Sequence, residues 1–441
     1  MTVCSWGKYP KVEAAAVQHL AWRHEKIDFD PATSFLAHGM GRSYGDSCLN
    51  EGGTLLMTRG LDRFVSFDPE TGDLRVEAGV TLEEILRFAL PRGYFLPASP
   101  GTCHVTVGGA IANDVHGKNH HVAGTFGCVT DEFTLLRSSG EILRCSRTEN
   151  AGLFRATIGG LGLTGLILDA KIRLRRVRGP FLNVKTIQFG SLREFLQLSK
   201  ELGTKYEYSV SWVDGTAHGA QLGRGLFMAG NHSDLTVEER KEPFVPKLVF
   251  PCEAPEWLLN RATIRAFNEL YWRKTVGRAV EGVQHYVPFF YPLDAIENWN
   301  RMYGKRGFFQ YQCVLPFGDG EEACAELLRR ISAYGKGTFL SVLKTFGDVE
   351  SPGMLSFPRK GITLALDFAN EGKETLDFLS MLDGVVAEAG GALYPAKDAR
   401  MDEAMFARSC PRLAEFVKYK DPLFSSSLWR RLGEPNFGKG A

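Results

Sequence analysis

Residues 37–47 read Ala-His-Gly-Met-Gly-Arg-Ser-Tyr-Gly-Asp-Ser, and this stretch decides the fold. A second glycine-rich stretch, residues 100–119, contains Pro-Gly-Thr-Cys-His-Val-Thr-Val-Gly-Gly-Ala and then Asp-Val-His-Gly-Lys-Asn. Both are predicted to be loops between apolar, strand-like runs. Because glycine adopts φ > 0 and lets a ligand approach the main chain, consecutive amides in such loops can converge on a phosphate. Two of these loops predict a diphosphate held from two sides.

Composition indicates an ordinary globular protein, and the length of 441 residues favours two domains. Hydrophobic residues make up 44% of the chain and charged residues 23%, which excludes disordered and fibrous classes. Lys and Arg number 52 against 51 Asp and Glu. The formal charge of +1 creates no global field that would attract nucleic acid, so we predict no nucleic-acid partner.

The nine cysteines are scattered and none forms a CxxC pair, which argues against a disulfide framework or a zinc site and favours a reducing compartment. His116, His120 and His121 lack the carboxylate or cysteine spacing of a metal site, so we predict no metal. Residues 1–10 show no secretory signal, and no run of about 18 apolar residues follows. We therefore expect a cytoplasmic protein with at most peripheral contact with the inner membrane.

Three local patterns predict individual elements. Thr81-Leu-Glu-Glu84 has the form of a capping box and should start a helix that Pro91 ends. Gly160-Leu-Gly-Leu-Thr-Gly165 matches the dinucleotide fingerprint, which requires a helix after it. The residues that follow, Leu166 to Leu174, alternate apolar and polar instead, as a strand does. We therefore reject a Rossmann site at these glycines.

Beyond the Gly179-Pro180 boundary signal the chain becomes rich in aromatic residues. Phe308 to Val314 reads as a strand with Gln310 and Gln312 on one face, and the later strand-like runs include one that carries Lys344. Polar side chains on an inward sheet face are candidates for contacting substrate. Pro246 to Tyr271 is apolar at near-helical spacing; we interpret it as a core-facing helix, with a lid or membrane-surface segment as the alternative.

Taken together, several motifs resemble those of the vanillyl-alcohol-oxidase/PCMH family of flavoproteins. They are Gly-Met-Gly-Arg-Ser-Tyr-Gly-Asp, Pro-Gly-Thr with Thr-Val-Gly-Gly-Ala, His-Gly-Lys-Asn-His-His, Gly-Leu-Thr-Gly, Phe-Gln-Tyr-Gln, Leu-Lys-Thr-Phe-Gly and Leu-Tyr-Pro-Ala-Lys-Asp. The resemblance implies an α+β fold: a PCMH-type FAD-binding domain of two small α+β subdomains, and an antiparallel-sheet substrate domain with helices. The implied divisions are residues 1–178 for the first domain, 179–391 for the second, and 392–441 for a segment that returns to the first.

The resemblance also implies site residues. FAD contacts would come from Ala37, His38, Gly39, Met40, Gly41, Arg42, Ser43, Tyr44, Gly45, Asp46, Ser47, Gly101, Thr106, Val107, Gly108, Gly109, His116, Gly117, Lys118, Asn119, Ile167 and Tyr394. Substrate contacts would come from Tyr44, Trp212, Gln310, Gln312, Lys344, Thr363 and Lys397. Lys397 and Lys118 would be catalytic, with Lys397 at the reacting hydroxyl.

Two positions depart from the family pattern. Arg42 stands where many relatives tether FAD through a histidine, so FAD should be bound non-covalently. Thr363-Leu-Ala365 stands where some members carry Asn-x-Cys beside the flavin. Hydride transfer does not require that thiol, but inhibitors that trap the cysteine should fail here.

The implied activity is FAD-dependent oxidation of the 2-hydroxyl of a polyprenyl-phosphate-linked pentose, ribose, to a 2-keto sugar. An NAD(P)H-dependent short-chain reductase would act second and complete a 2-epimerisation that gives an arabinose donor. A soluble alditol or aldonolactone oxidase is the alternative within the superfamily, and a non-catalytic flavin-holding scaffold is the alternative outside enzymes.

Overall fold

The structure is a computed structural model that describes residues 1–241, 247–275 and 277–434. Its strands in chain order are β1 (Thr2–Cys4), β2 (Lys11–Glu13), β3 (Ala16–His19), β4 (Phe35–His38), β5 (Thr54–Met57), β6 (Phe64–Phe67), β7 (Asp73–Glu77), β8 (Tyr94–Phe95), β9 (Thr130–Leu136), β10 (Ile142–Ser146), β11 (Leu166–Arg173), β12 (Arg175–Arg176), β13 (Phe181–Phe189), β14 (Tyr208–Val213), β15 (Gly225–His232), β16 (Leu248–Val249), β17 (Ala279–His285), β18 (Ile296–Glu297), β19 (Phe308–Leu315), β20 (Gly337–Phe346), β21 (Gly361–Ala369) and β22 (Ala392–Leu393). Its α-helices are α1 (Leu82–Ala89), α2 (Val107–Ala112), α3 (His120–Ala123), α4 (Ala151–Thr157), α5 (Leu192–Leu202), α6 (Arg261–Arg273), α7 (Tyr286–Phe290), α8 (Asp319–Tyr334), α9 (Lys373–Glu388), α10 (Glu403–Ser409), α11 (Leu413–Phe416) and α12 (Ser427–Leu432).

The first part of the chain builds a three-stranded and a five-stranded sheet, two two-stranded sheets and several helices, which confirms the predicted α+β class. Strands β3, β5 and β4 form a parallel sheet in that order. Strands β10, β9, β11, β7 and β6 form an antiparallel sheet. The predicted capping box is present at α1, where Thr81 Oγ1 accepts the Glu84 N–H at 3.2 Å and Glu84 Oε2 accepts the Thr81 N–H at 2.7 Å. Such a cap stabilises a helix by about 1 kcal/mol.

The second glycine-rich stretch is not a loop throughout, so that prediction was wrong in part. Val107–Ala112 forms α2, and Thr106 caps it by accepting the Gly109 N–H at 3.1 Å. The reason is packing: a Cβ on Gly108 would lie 3.1 Å from the Ala78 Cβ, so glycine lets the first helical turn lie against the end of β7. The stretch therefore offers a helix N-terminus as well as loop amides.

The rejection of a Rossmann site is confirmed. Gly160 to Gly165 leads directly into β11, and no helix follows before Arg173. Strand β11 sits in the middle of the antiparallel sheet between β9 and β7. The glycines therefore form a turn at the start of this central strand and do not open a helix.

The second part of the chain builds an eight-stranded sheet in the order β17-β13-β15-β14-β20-β21-β19-β22. Helices α8 and α9 pack on one face, where Leu328, Leu364 and Leu379 are among the buried core residues. The register opposes Gln310 to Asp367, Gln312 to Ala365, and Lys344 to Thr363. The opposite face of this sheet therefore carries the polar residues that the sequence placed on one side. The domain limits at 178 and 391 remain a prediction, although this sheet begins at Phe181.

Helix α6 is only partly as predicted. Of its apolar residues Ile264 is buried, but the Phe267 side chain is 44% exposed. Residues 242–246, which include Pro246 of the predicted segment, lie outside the described residues. Within the described residues, no helix combines the length and apolar composition needed to cross a bilayer.

Candidate active site

A cleft of about 340 Å³ lies between the two glycine-rich stretches and the free face of the large sheet. Its volume falls in the range of small-molecule and cofactor sites. The stretch after β4 and the stretch around α2 contact each other, because a Cβ on Gly39 would overlap the Thr106 side chain. The opposite wall is formed by strands β14, β19, β20 and β21 together with the turn at Tyr394 to Lys397.

The first glycine-rich stretch presents unused hydrogen-bond donors to this cleft. Within the described part of the chain, the backbone N–H groups of residues 40–43 donate to no protein acceptor. A Cβ added at Gly101 would meet nothing within 4 Å, so the main chain on the other side is open to a ligand. Buried N–H groups need partners, and consecutive ones form a concavity that binds anions. This donor set fits the diphosphate of FAD.

Three lysines reach the cleft from separate elements. Lys118 Nζ donates to the Phe290 carbonyl at 3.4 Å, and Lys344 Nζ donates to the Gly117 carbonyl at 3.0 Å. Lys397 Nζ lies 5.5 Å from the centre of the Tyr44 ring. All three are half-buried and line the cleft.

Burial lowers the pKa of all three lysines. It lowers the pKa of Lys118 to about 8. It also lowers the pKa of Lys344 far below the ordinary value, with further lowering by the charges of Lys118 and Lys397. The pKa of Lys397 is lowered by burial and raised in part by Asp367. A cleft with three such groups favours an anionic ligand, since a negative charge would relieve their mutual repulsion.

Asp367 is a fully buried carboxylate behind the lining residue Gln310. Its Oδ1 accepts Gln310 Nε2–H at 2.6 Å and its Oδ2 accepts the Tyr303 hydroxyl at 3.2 Å. Burial raises the pKa of Asp367, while Gln310 and Lys397 lower it. Asp367 therefore sits in an arrangement that stabilises charge on Lys397.

The comparisons with known proteins agree with this geometry. A family of FAD binding domains matches residues 30–146. The decaprenylphosphoryl-β-D-ribose oxidase of Mycolicibacterium smegmatis is 36% identical over 411 residues, which cover 90% of this chain and 88% of that enzyme. The chain belongs to the family of that oxidase. It is an FAD-dependent oxidoreductase, and FAD is its cofactor.

Two further relatives match this chain over different shares of its length. An uncharacterized protein of Streptomyces coelicolor is 31% identical over 373 residues, covering 80% of this chain and all of that protein. The L-gulonolactone oxidase of Mus musculus is 30% identical over 137 residues, which cover 31% of this chain and 30% of that enzyme. Likeness to the lactone oxidase is therefore confined to about a third of each chain.

In this member of the oxidase family, most of the cofactor residues implied by the sequence line the cleft. They are Ala37, Gly39, Met40, Gly41, Arg42, Ser43, Tyr44, Ser47, Gly101, Thr106, Gly108, Gly109, His116, Gly117, Lys118, Ile167 and Tyr394. The Tyr394 hydroxyl donates to the Asn113 carbonyl at 2.9 Å, which holds the ring at the cleft wall. Burial lowers the pKa of His116, so its imidazole is neutral.

Five implied cofactor residues do not line the cleft but pack behind it. His38 Nδ1 lies 2.9 Å from the Cys48 carbonyl, and Asn119 Nδ2 donates to the Pro97 carbonyl at 2.8 Å. Gly45 lies where a Cβ would overlap the Asp398 carbonyl. Asp46 pairs with an arginine of α12, and the Val107 side chain is fully buried. These residues pack behind the surface that the two glycine-rich stretches, 37–47 and 100–119, present to the cleft. We call that surface the cradle.

On the substrate side of the oxidase cleft, Gln310, Gln312, Tyr44, Lys344 and Lys397 line the wall as expected. Trp212 and Thr363 do not. The Trp212 indole N–H donates to the Phe339 carbonyl at 2.8 Å and its ring packs edge-on to Tyr271. Thr363 Oγ1 donates to the Cys313 carbonyl at 2.8 Å and accepts from Gln312 Nε2 at 3.2 Å.

Sequence reasoning missed several lining residues. Trp6 stacks beneath the Arg42 guanidinium at 4.0 Å, and Asp294 lies on the cleft wall. Neither belongs to a local motif, so no spacing rule could have found them. Cys103, His104 and Asp294 form a group close enough to hold a metal. The Cys103 N–H donates to Asp294 Oδ2 at 2.8 Å and His104 Nδ1 lies 3.1 Å from Glu83 Oε2, so these atoms have protein partners already.

Proposed function

We propose that this protein oxidises the 2-hydroxyl of a polyprenyl-phosphate-linked ribose to a 2-keto sugar. The observation that carries the proposal is that Lys344 and Lys397, on the wall that the large sheet and the turn beside it form, lie close to Lys118 of the second glycine-rich stretch. The near full-length likeness to an oxidase named for decaprenylphosphoryl ribose supports the same substrate class. A sugar that bears a phosphate offers both the hydroxyl and the anion that this wall suits.

Lys397 is the proposed proton acceptor. Its lowered pKa means that a substantial fraction is neutral near neutral or mildly alkaline pH, and a neutral amine can accept the hydroxyl proton. FAD supplies the acceptor for the hydride that leaves C2. As the proton moves to Lys397 Nζ and the hydride leaves, the C2–O bond becomes a carbonyl. Asp367 then stabilises the ammonium group that results.

Lys118 and Lys344 are proposed to bind the phosphate and to orient the sugar. Lys118 donates a hydrogen bond to the Phe290 carbonyl, and Lys344 donates one to the Gly117 carbonyl. Both ammonium groups are therefore positioned before substrate arrives. An anion within contact distance would raise the pKa of both lysines and keep them protonated. We propose Lys118 as catalytic in this orienting sense, since it lies on the stretch that also holds FAD.

Gln310 and Gln312 are proposed to bind the sugar hydroxyls. Gln310 is held by Asp367, and Gln312 Nε2 lies within reach of both His116 Nε2 at 3.3 Å and Thr363. Side chains fixed in this way lose little entropy on binding. Tyr44 would close the same end of the pocket, while Thr363 positions Gln312 and Trp212 supports the strand behind.

We propose that FAD is held non-covalently and that Arg42 lies beside it. The Arg42 guanidinium stacks on Trp6 at 4.0 Å and its side chain lines the cleft. A guanidinium is not a nucleophile at any ordinary pH, so it provides a cation where many relatives provide a covalent tether. Denaturation followed by filtration should therefore release FAD from the protein.

The second half of the reaction is proposed to belong to another protein. A 2-keto sugar has lost its stereocentre at C2, and an NAD(P)H-dependent short-chain reductase could restore it with the opposite configuration. The pair would convert a ribose lipid into an arabinose donor. Addition of such a reductase with NAD(P)H to the oxidised lipid would test this by the appearance of arabinose on hydrolysis.

The deciding experiment mixes the yellow holoenzyme anaerobically with polyprenyl-phosphoryl ribose and follows flavin absorbance. Bleaching supports the proposal. Bleaching with xylitol or gulonolactone, and none with the lipid, favours the soluble alditol or aldonolactone oxidase. No bleaching with any sugar favours the flavin-holding scaffold. Free ribose in place of the lipid serves as the control for recognition of the phosphate.

A further inference from the structure

A group of exposed apolar residues lies on β16, just before α6 and on α6 itself, near elements that line the cleft. It consists of Leu248, Val249, Trp257, Phe267 and Leu270, which we call the rim surface. The side chains of Trp257 and Leu270 are 72% and 73% exposed. Single exposed apolar residues are ordinary, but five of them within one segment beside a ligand site favour an interaction surface.

The rim surface adjoins residues that line the cleft. Strand β16, with Leu248 and Val249, pairs with β18 between the lining residues Asp294 and Trp299. The Phe267 ring packs 5.1 Å from Phe339, the neighbour of the lining residue Leu340. The rim surface is therefore one layer outside the cleft wall.

Charge on the same segment is basic toward solvent. Arg261 and Arg265 are exposed on α6. The acidic residue of this helix, Glu269, is half-buried and pairs both with the exposed Arg273 and with Arg224 at 2.6 Å, and Arg224 also pairs with Asp214 at 2.8 Å. The carboxylate of α6 is therefore neutralised by two arginines, while Arg261 and Arg265 remain exposed beside the apolar side chains.

We propose that the rim surface docks on a bilayer of anionic phospholipids. Exposed aromatic and aliphatic side chains enter the boundary between headgroups and acyl chains, and neighbouring arginines pair with anionic headgroups. The proposal rests on the proposed function in one respect: a polyprenyl chain can stay in the bilayer while its phosphosugar enters the cleft beside the rim. A lipid surface accounts for both the apolar and the basic features of this segment.

The test measures co-sedimentation of the holoenzyme with phosphatidylcholine vesicles, with and without phosphatidylglycerol. Binding is expected only with phosphatidylglycerol and should weaken as salt rises. The double variant Trp257→Gln with Leu270→Gln should bind at least about tenfold more weakly, because it removes two apolar side chains from the contact. Arg261→Gln with Arg265→Gln should weaken the preference for anionic vesicles.

The matched control is Trp22→Gln, which removes an exposed tryptophan that lies against Arg63, away from α6. It should bind vesicles as the wild type does. Equal binding by the wild type and the rim variants, or binding by neither to anionic vesicles, overturns the proposal. So does a requirement for an added protein partner before any binding occurs.

Flavin bleaching by lipid substrate dispersed in detergent separates this proposal from the proposed function. The rim variants should bleach at the wild-type rate under those conditions, since no rim residue touches the reacting atoms. If the wild type binds anionic vesicles but never bleaches, the docking proposal stands and the proposed function fails. If it bleaches but does not bind vesicles, the docking proposal fails alone.

Discussion

The two walls of the cleft present different atoms to their ligands. On the cradle wall, residues 40–43 and Gly101 offer main-chain groups, and the glycines there leave room for close approach. On the sheet wall, Lys344 and Lys397 offer side chains whose charge depends on burial, and Gln312 offers a neutral amide. FAD binding by the main-chain groups of the cradle should therefore be sensitive to added volume and insensitive to pH. Reactions at the sheet wall should depend on pH and be less sensitive to added volume.

The largest effect that follows from this contrast is expected for Lys397→Ala. Loss of the proton acceptor should slow flavin reduction by about 10³-fold, in the range of general base catalysis. The yellow colour should persist, because the cradle wall does not use this side chain. Stopped-flow reduction with lipid substrate measures the rate, and the flavin spectrum measures occupancy.

The control for this variant is Lys373→Ala, which removes an exposed lysine paired with Asp377 on α9. It should reduce at the wild-type rate. Near-normal reduction by Lys397→Ala would remove that lysine from the mechanism. Loss of colour in the same variant would show that the two walls are not separate in the way proposed.

Arg431 joins the two walls, and its loss should be the next largest effect. It pairs with Asp46 at 2.8 Å behind the cradle and with Asp398 at 3.0 Å beside Lys397. Arg431→Gln leaves two buried carboxylates without their cation, which should destabilise the fold by about 3 kcal/mol. We expect a lower Tm together with weaker FAD binding and slower reduction. Arg430→Gln is the matched control, because Arg430 contacts Asn50 and the Glu51 carbonyl instead of a carboxylate and should cost about 1 kcal/mol.

The two walls could be predicted from the sequence to different extents. The cradle is largely local: glycine loops and the Thr81 cap depend on residues close in sequence. Helix α2 was not predicted, because its glycine is required by close contact with Ala78, which is distant in sequence. On the sheet wall, period-two alternation placed Gln310 and Gln312 on one face correctly.

Long-range partners account for what the sequence could not predict. Asp367 and Arg431 belong to no motif, and their roles arise from contacts with residues such as Gln310 and Asp46 that lie 57 and 385 positions away. Trp212 lies on β14, which contributes to the cleft wall, but its ring packs away from the cleft against Tyr271. Which residues share a face can be read from a pattern; which end of the sheet meets the cleft cannot.

Gly101→Val tests the cradle by volume alone. A Cβ at this position meets no protein atom within 4 Å, so the fold should be unchanged while the approach of FAD is obstructed. We expect FAD affinity to fall about tenfold, which corresponds to about 1.4 kcal/mol, with no change in the pH dependence of reduction. Titration of apoprotein with FAD measures this. Gly384→Ala in α9 also has open space around its Cβ and should leave FAD affinity intact.

Asp367→Asn tests the sheet wall by charge alone. Neutral Lys397 is the active form, so the reduction rate should rise with pH through the pKa of that lysine, below its ordinary value of 10.5. The Asp367 carboxylate raises the pKa of Lys397, so its removal should move the rise to lower pH by about one unit. A profile of reduction rate against pH at saturating substrate measures the shift. An unchanged profile would show that Asp367 acts only as a structural partner of Gln310.

The smallest effect is expected for Ala365→Cys. Ala365 lines the cleft opposite Gln312 in the strand register, and its side chain takes no part in proton or hydride transfer. The reduction rate should therefore stay within about twofold of wild type, since the extra sulfur occupies open cleft space. Sensitivity to inhibitors that trap a cysteine beside the flavin should appear in this variant and be lacking in the wild type, as mass spectrometry of the adduct would show. Inhibition of the wild type by the same compounds, with an adduct on Cys48 of the cradle wall, would show that the thiol need not lie on the sheet wall.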